Sequence, residues 1–317
     1  MLIRRLVAAH GSQCRTYVTE SVRRVSVLLD GSVSTFRQEA FTPCLPALLP
    51  RQHFKGLSAT SKWFHQDVSG VLTLNRSYFS RFGATIVPLE ITNDDQFVRI
   101  EESLSYFLEC VNASNSTFDR RPSRYFSAYV PNARAMRRTK KSNDFFSSTP
   151  LKAPTARVYL AQAPINDLPK RLRDDVPTPS LVLEAGKGDV YASSIWLGQA
   201  PTYTPLHRDP NPNLFVQLAG TKLVRLCTPD VGRAIFGKVQ EAIGASASAT
   251  MRGEEMMQGM EKSALEHEVW SDATDWSGSI WEAELRGGDG LFIPRGWWHS
   301  VKGTGSEMTG SVNWWFR

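Results

Sequence analysis

A chain of 317 residues, 41% apolar and 21% charged, can bury a substantial core and has the make-up of a globular protein. No stretch approaches the ~18 consecutive apolar residues of a spanning helix, so no membrane association is expected. Four scattered cysteines (Cys14, Cys44, Cys110, Cys227) contain no CxxC pair, which argues against a zinc module and for free buried thiols in a reducing compartment. The net charge of +6 is concentrated in two places: three arginines precede the first acid, Glu20, and nine Lys/Arg against two acids fall in residues 112–153.

The chain opens MLIRRLVAAHGSQCRTYVTE, with Arg4, Arg5 and Arg15, hydroxyl residues and no acid before Glu20. Leu2, Ile3, Leu6 and Val7 can share one helical face, so residues 1–20 read as a mitochondrial presequence. Residues 21–155 are expected to form an α/β N-terminal region. RRVSVLLDG (23–31) reads as a short strand, Ser34 as the cap of a helix through Phe36–Phe41, and Pro43, Pro46 and Pro50 as breakers. Residues 51–91 are weakly periodic. Phe97, Ile100, Leu104, Phe107, Leu108 and Val111 recur at helical spacing and predict a helix over 93–111, capped by Asn93 or Asp94.

Residues 112–153 form a basic segment rich in Ser, Asn and Pro, with interleaved aromatics such as Tyr125, Phe126 and Tyr129. It reads as a long solvated loop, or as an anion-binding arm for RNA or an acidic protein. From residue 156 the texture changes to short apolar runs separated by turn residues, among them RVYLAQAP, SLVLEA, VYASSIWLG, LFVQLAG, TKLVRLCTP, SIWEAEL, GLFIPRG, HSVKG and GSVNWWF. Such a series predicts a mainly β sandwich or barrel over 156–317. One helical interruption, 229–268, carries Val231, Ile235, Val239 and Ile243, followed by Met256, Met257 and Met260 as gap-filling core.

Within the β half lies His207-Arg208-Asp209, and 90 residues after Asp209 comes His299. Residues i and i+2 of a strand face the same side, so His207 and Asp209 can share a barrel interior. Two imidazoles and one carboxylate are the ligand set of an iron(II) site with open positions. Trp297 and Trp298 would wall such a site from water. An open-faced iron needs an electron source, and 2-oxoglutarate is the usual one: it chelates the metal and extends a second carboxylate that requires a cation and hydroxyls. Lys222, Thr204 and Tyr159 can supply these, and Asn213 and Asn313 offer amides nearer the metal.

The strings YLAQ, TPLHRDPNPNLFVQLAGTK, GDGLFIPRGWWHSV and GSVNWWF resemble the cupin-like JmjC oxygenases. Among these, the small members without reader domains are the most similar, such as the asparaginyl hydroxylase of hypoxia-inducible factor. The resemblance implies a double-stranded β-helix, a jelly-roll barrel. It makes His207, Asp209 and His299 the iron ligands, and Tyr159, Thr204 and Lys222 the holders of the 2-oxoglutarate carboxylate. Asn213 and Asn313 become supporting groups near metal or cosubstrate. It implies an Fe(II)-, 2-oxoglutarate- and O2-dependent dioxygenase acting on a protein or peptide side chain. Alternatives are a tRNA-base hydroxylase contacting RNA through 112–153, a histone-lysine demethylase, and a non-catalytic cupin scaffold. Arg208 departs from the aromatic residue common at that position, the basic segment has no counterpart, and the ending at Arg317 points to a monomer.

Overall fold

The computed structural model describes residues 22–93, 96–115, 157–245, 257–271 and 274–317. The presequence expectation, Asp94, Met256 and all but the first residues of the basic segment lie outside these. Residues 112–115 are the last residues of a helix, Leu104–Asn115. Among the described residues, no helix is long and apolar enough to cross a membrane.

In chain order the strands are β1 (Arg23–Arg24), β2 (Ala47–Leu49), β3 (Phe64–Gln66), β4 (Leu72–Leu74), β5 (Ile86–Asn93) and β6 (Gln96–Ser103). They continue with β7 (Arg157–Pro164), β8 (Val190–Gln199), β9 (Thr202–Arg208), β10 (Asn213–Ala219) and β11 (Thr221–Cys227). The last four are β12 (Trp281–Arg286), β13 (Gly290–Ile293), β14 (Trp298–Thr304) and β15 (Met308–Phe316). An eight-stranded sheet runs β2-β13-β10-β15-β8-β7-β5-β6, and a five-stranded sheet runs β1-β12-β11-β14-β9. The two face each other as a jelly-roll barrel.

Side-chain alternation sorts residues into layers. On β15, Val312, Trp314 and Phe316 face the back of the large sheet, where Phe36, Trp63 and Phe79 of the N-terminal region cover them. Leu214, Val216, Leu218 and Phe292 join the same layer from β10 and β13. The opposite parity, Phe215, Leu291 and Ile293, points into the barrel against Val224, Leu226, Ala283, Leu285 and Val301 of the small sheet. Helices Pro229–Ala242 and Gly259–Trp270 cover the back of the small sheet through Ile235, Val239, Leu265 and Val269.

The N-terminal region is locked by one buried carboxylate. Asp175, 1% exposed, accepts from Ser58 Oγ (2.8 Å), Lys62 Nζ (2.5 Å), Trp63 Nε1 (2.9 Å) and Tyr78 Oη (2.5 Å). Strands before residue 156 extend the sheets of the barrel, because β5 pairs with β7, β2 with β13 and β1 with β12. The expected boundary at 155/156 itself falls outside the described residues.

Several local expectations are corrected. Residues 96–103 of the expected 93–111 helix are β6, paired with β5 along its whole length, and the helix starts only at Leu104. Leu104, Phe107 and Leu108 keep the buried helical face, whereas Phe97 and Ile100 meet the helical spacing by coincidence. The first helix, Val33–Phe36, is capped by Ser32, which accepts from Thr35 N, and Ser34 lies inside it. SLVLEA begins as a helical turn, Ser180–Glu184, entered from Pro179 in extended conformation, since the run lacks the polar-apolar alternation of a half-buried strand. In the 23–31 stretch only Arg23–Arg24 is strand. Met260 is 72% exposed and fills no core gap, and Cys44 is exposed.

Candidate functional site

The barrel encloses a cavity of about 360 Å3 between its two sheets. Tyr159, Thr204, His207, Asp209, Asn213, Lys222, His299 and Asn313 all line it. His207 on β9 stands directly opposite His299 on β14, with ring centroids 4.2 Å apart. Asp209 follows the end of β9 and brings its carboxylate within 4.0 Å of His207 Nε2 and 3.7 Å of His299 Nε2. One ligand atom from each of the three residues lies within 4.8 Å of the others.

A bulge sets which residues of β9 reach the cavity. The register with β14 shifts so that His299 and Val301, two apart, oppose His207 and Thr204, three apart. The extra residue lets Thr204 and His207 face the same side despite their odd spacing. Leu206 and Trp298 turn outward into the layer beneath the helices, and Trp297 packs among Val25, Leu226 and Ile293. Neither tryptophan therefore walls the cavity. That role falls to Trp196 on β8, Trp315 on β15 and Tyr191.

The cluster is electrostatically incomplete on its own. Burial pushes the His299 imidazole down to about 4, so it is neutral at neutral pH. Burial opposes ionisation of Asp209, but the two imidazoles and donors from Trp315 Nε1 (2.7 Å) and Asn213 Nδ2 (3.0 Å) outweigh it, and the carboxyl is held below its usual range. His207 Nδ1 lies 2.8 Å from Pro205 O; if protonated there it presents its Nε2 lone pair to the cluster. Two imidazole Nε2 atoms and a carboxylate thus converge on one point. This donor set fits a divalent cation with imidazole and carboxylate preference, such as iron(II).

Across the cavity Lys222 on β11 is 3% exposed. Its ammonium donates to Ser311 Oγ (2.9 Å) and Tyr159 Oη (3.3 Å) and sits 5.2 Å from the Phe215 ring centroid. No carboxylate pairs with it among the described residues, and burial pushes it down to about 7. An uncompensated buried cation beside hydroxyls fits one carboxylate of a small dicarboxylate. Gly198 makes room for this arrangement, since a Cβ there would lie 2.2 Å from Tyr159 Cδ2. Asn313 donates to Asn213 Oδ1 at 3.0 Å, which continues a chain from Asn313 through Asn213 to Asp209.

Ser311, Trp315 and Trp196 were missed in the sequence. Ser311 and Trp315 stand two residues either side of Asn313, so strand alternation from that residue would have found both.

A jelly-roll barrel with two histidines and an aspartate clustered at its mouth, and a buried lysine across from them, defines a metal-dependent cupin. The chain belongs to the cupin-like family, whose description "Cupin-like domain" matches residues 78–317. Iron(II), 2-oxoglutarate and O2 are the cofactor and cosubstrates of its JmjC branch. The chain is 24% identical over 303 residues to Lysine-specific demethylase JMJ30 of Arabidopsis thaliana, covering 96% of this chain and 56% of that protein. It is 26% identical to Lysine-specific demethylase 8 of Danio rerio, over 50% of this chain and 36% of the relative. It is also 26% identical to Jumonji C domain-containing protein 5 of Drosophila melanogaster, over 54% and 39%. The chain thus spans about half or less of the length of these curated relatives.

Proposed function

We propose that this chain is an iron(II)- and 2-oxoglutarate-dependent oxygenase that hydroxylates a C–H bond of a protein side chain. The observation that carries the reading is the presence of two complementary half-sites on one cavity: three side chains whose metal-ligating atoms converge, and a buried lysine that no carboxylate among the described residues pairs with. His207, Asp209 and His299 would hold the metal. Lys222, Tyr159, Thr204 and Ser311 would hold the distal carboxylate of 2-oxoglutarate. When bound, iron couples oxidative decarboxylation of 2-oxoglutarate by O2 to insertion of one oxygen atom into the substrate, leaving succinate and carbon dioxide.

The chain's own side chains do the positioning. Trp315 and Asn213 orient the Asp209 carboxylate, and Asn313 in turn fixes the Asn213 amide. Burial keeps His299 neutral and therefore able to donate its lone pair. It also keeps the Tyr159 phenol well above its usual range, so the hydroxyl remains a donor. Trp196, Phe215 and Val301 keep the space between the half-sites apolar.

A second reading, removal of an N-methyl group from lysine, is supported by the names of the relatives. Its first step is the same C–H hydroxylation, here on an N-methyl carbon, followed by loss of formaldehyde. The test is succinate release by the iron-loaded chain on unmodified and methyl-lysine peptide pools, with mass spectrometry of the peptides. Gain of one oxygen atom supports side-chain hydroxylation, and loss of a methyl group supports demethylation. Succinate release by Asp209→Ala equal to that of the wild type would remove both readings.

A further inference from the structure

The two sheets of the barrel end in four edge strands, and three of them are short or interrupted. β1 has two residues and β2 three, while β9 carries Pro205 and the bulge opposite β14. β6, the outermost strand of the large sheet, is different. Its eight residues, Gln96–Ser103, contain no proline and pair with β5 without a register shift. No strand among the described residues lies on its outer side. A long, regular edge is a template for pairing with another chain, which is why folds shorten, bulge or interrupt such strands. What guards β6 is charge, and the charges are of both signs: Arg99, Glu101 and Glu102.

Backbone parity fixes what that edge offers. Leu104, just past β6, donates its N–H to Thr85 O at 2.8 Å. Groups directed at β5 therefore recur at every second residue back along the strand, at Glu102, Ile100 and Val98. Phe97, Arg99, Glu101 and Ser103 direct their N–H and C=O to the outer side. In keeping with this, the Ser103 N–H is taken by the Glu102 carboxylate at 2.8 Å rather than by β5. Val98, Arg99 and Glu101 are exposed, and Ile100 is half-buried.

A second copy laid antiparallel along this edge must set outward residues opposite outward residues, so a two-fold axis falls on a residue and not between two. With the axis at Arg99 or at Glu101, that residue faces its own like charge. With the axis at Ile100, Arg99 faces Glu101 of the copy and Glu101 faces Arg99 of the copy, so two opposite-charge pairs form. Ile100 then meets its own counterpart on the face it shares with Val98. We propose that this chain self-associates through β6 as a two-fold dimer with its axis at Ile100, joining two eight-stranded sheets edge to edge. Within each chain Arg99 lies across from Glu90 on β5, so in the dimer it stands between a carboxylate of its own chain and one of the copy. The inference rests on the sheet and its edges and is independent of the oxygenase reading.

The test is sedimentation velocity of the full chain over a concentration series. The wild type is expected to reach twice the mass of one chain. Arg99→Glu and Glu101→Arg each set like charges against one another twice per dimer and should weaken association roughly tenfold or more. Mixed in equal amounts, the two variants place opposite charges at both positions again, and a heterodimer of wild-type affinity should form. Circular dichroism establishes that each variant keeps its fold. Ile100→Cys, made together with Cys44→Ser to remove an exposed thiol, should cross-link to its own copy on mild oxidation. Residues opposed at a non-hydrogen-bonded position have Cα atoms about 4.5 Å apart, within reach of a disulfide. This cross-link decides the matter should either charge variant lose its fold. A wild type that stays monomeric, the state expected from the sequence, overturns the proposal. So do charge variants that associate as well as the wild type, a mixture of folded variants that stays monomeric, and an Ile100→Cys sample that is dimeric yet does not cross-link.

Discussion

Lys222 should make 2-oxoglutarate affinity depend on pH in a way that its replacement removes. The ammonium is enclosed, donates to Ser311 and Tyr159 at 2.9 and 3.3 Å, and is pushed by burial from 10.5 down to about 7. A carboxylate brought opposite it restores the charged form. Below pH 7 the free protein already holds that proton, and affinity should be flat. Above pH 7 each binding event must take up a proton, and affinity should fall about tenfold, roughly 1.4 kcal/mol, per pH unit. From pH 6 to 9 the dissociation constant of the iron-loaded chain should therefore rise on the order of 100-fold. Calorimetry in buffers of differing ionisation enthalpy reads the proton uptake directly. In Lys222→Met the dependence should vanish and binding should weaken by about 2–5 kcal/mol, the usual cost of removing one partner of a buried charge pair. Folding stability should move the other way. A native lysine with a lowered pKa opposes folding, most strongly below about pH 7, and the opposition fades as pH rises toward 10.5, where the unfolded chain also loses the proton. The drop from 10.5 to about 7 corresponds to roughly 5 kcal/mol at most, so Lys222→Met should be more stable than wild type at pH 7 in urea denaturation. Wild-type affinity that is flat from pH 6 to 9, together with a less stable Lys222→Met, would refute the view of Lys222 as an uncompensated buried cation.

Trp315→Phe removes the 2.7 Å donor to Asp209 and should weaken iron binding about 10- to 100-fold in a metal competition assay, with little change in fold. Gly198→Ala places a Cβ 2.2 Å from Tyr159 Cδ2, so the ring must move; the KM for 2-oxoglutarate should rise, with about 1–3 kcal/mol lost from stability. An unchanged KM would show that the Tyr159 position does not matter to the cosubstrate. Asp175→Asn leaves four donors without a charged acceptor and should cost about 3–5 kcal/mol at pH 7. Burial opposes ionisation of Asp175, but those donors hold its carboxyl below the usual range. Its contribution is thus present above the unfolded carboxyl value of about 3.9 and lost as pH falls through the lower folded value. Denaturation at pH 7 and in acid should show the gap between wild type and variant closing in acid.

The strands that build the cavity were readable because each is short, β-branched or aromatic, and bounded by turn residues. GSVNWWF is the clearest case: Val312, Trp314 and Phe316 alternate with Ser311, Asn313 and Trp315, and both faces are buried for different reasons. Residues 96–103 show where such reading fails. Phe97, Ile100 and Leu104 satisfy helical spacing, yet pairing with β5 claims the first eight residues and leaves the helix to Leu104 onward. A strand needs a partner, and the partner is not encoded in the local pattern.

By itself the sequence determined the chemistry of the ligands. His207, Asp209 and His299 carry their donor atoms wherever they are placed, and a single lysine among apolar strand residues marks a buried cation. Tertiary structure decided how those groups face one another. The bulge in β9 turns Thr204 and His207 to one side, Gly198 admits the Tyr159 ring, and Trp315 reaches Asp209 across 106 residues. It also turned Trp297 and Trp298 away from the cavity. Residue type sets what an atom can bind, whereas register, bulges and close approach set which atoms meet, and those depend on strands far apart in the chain.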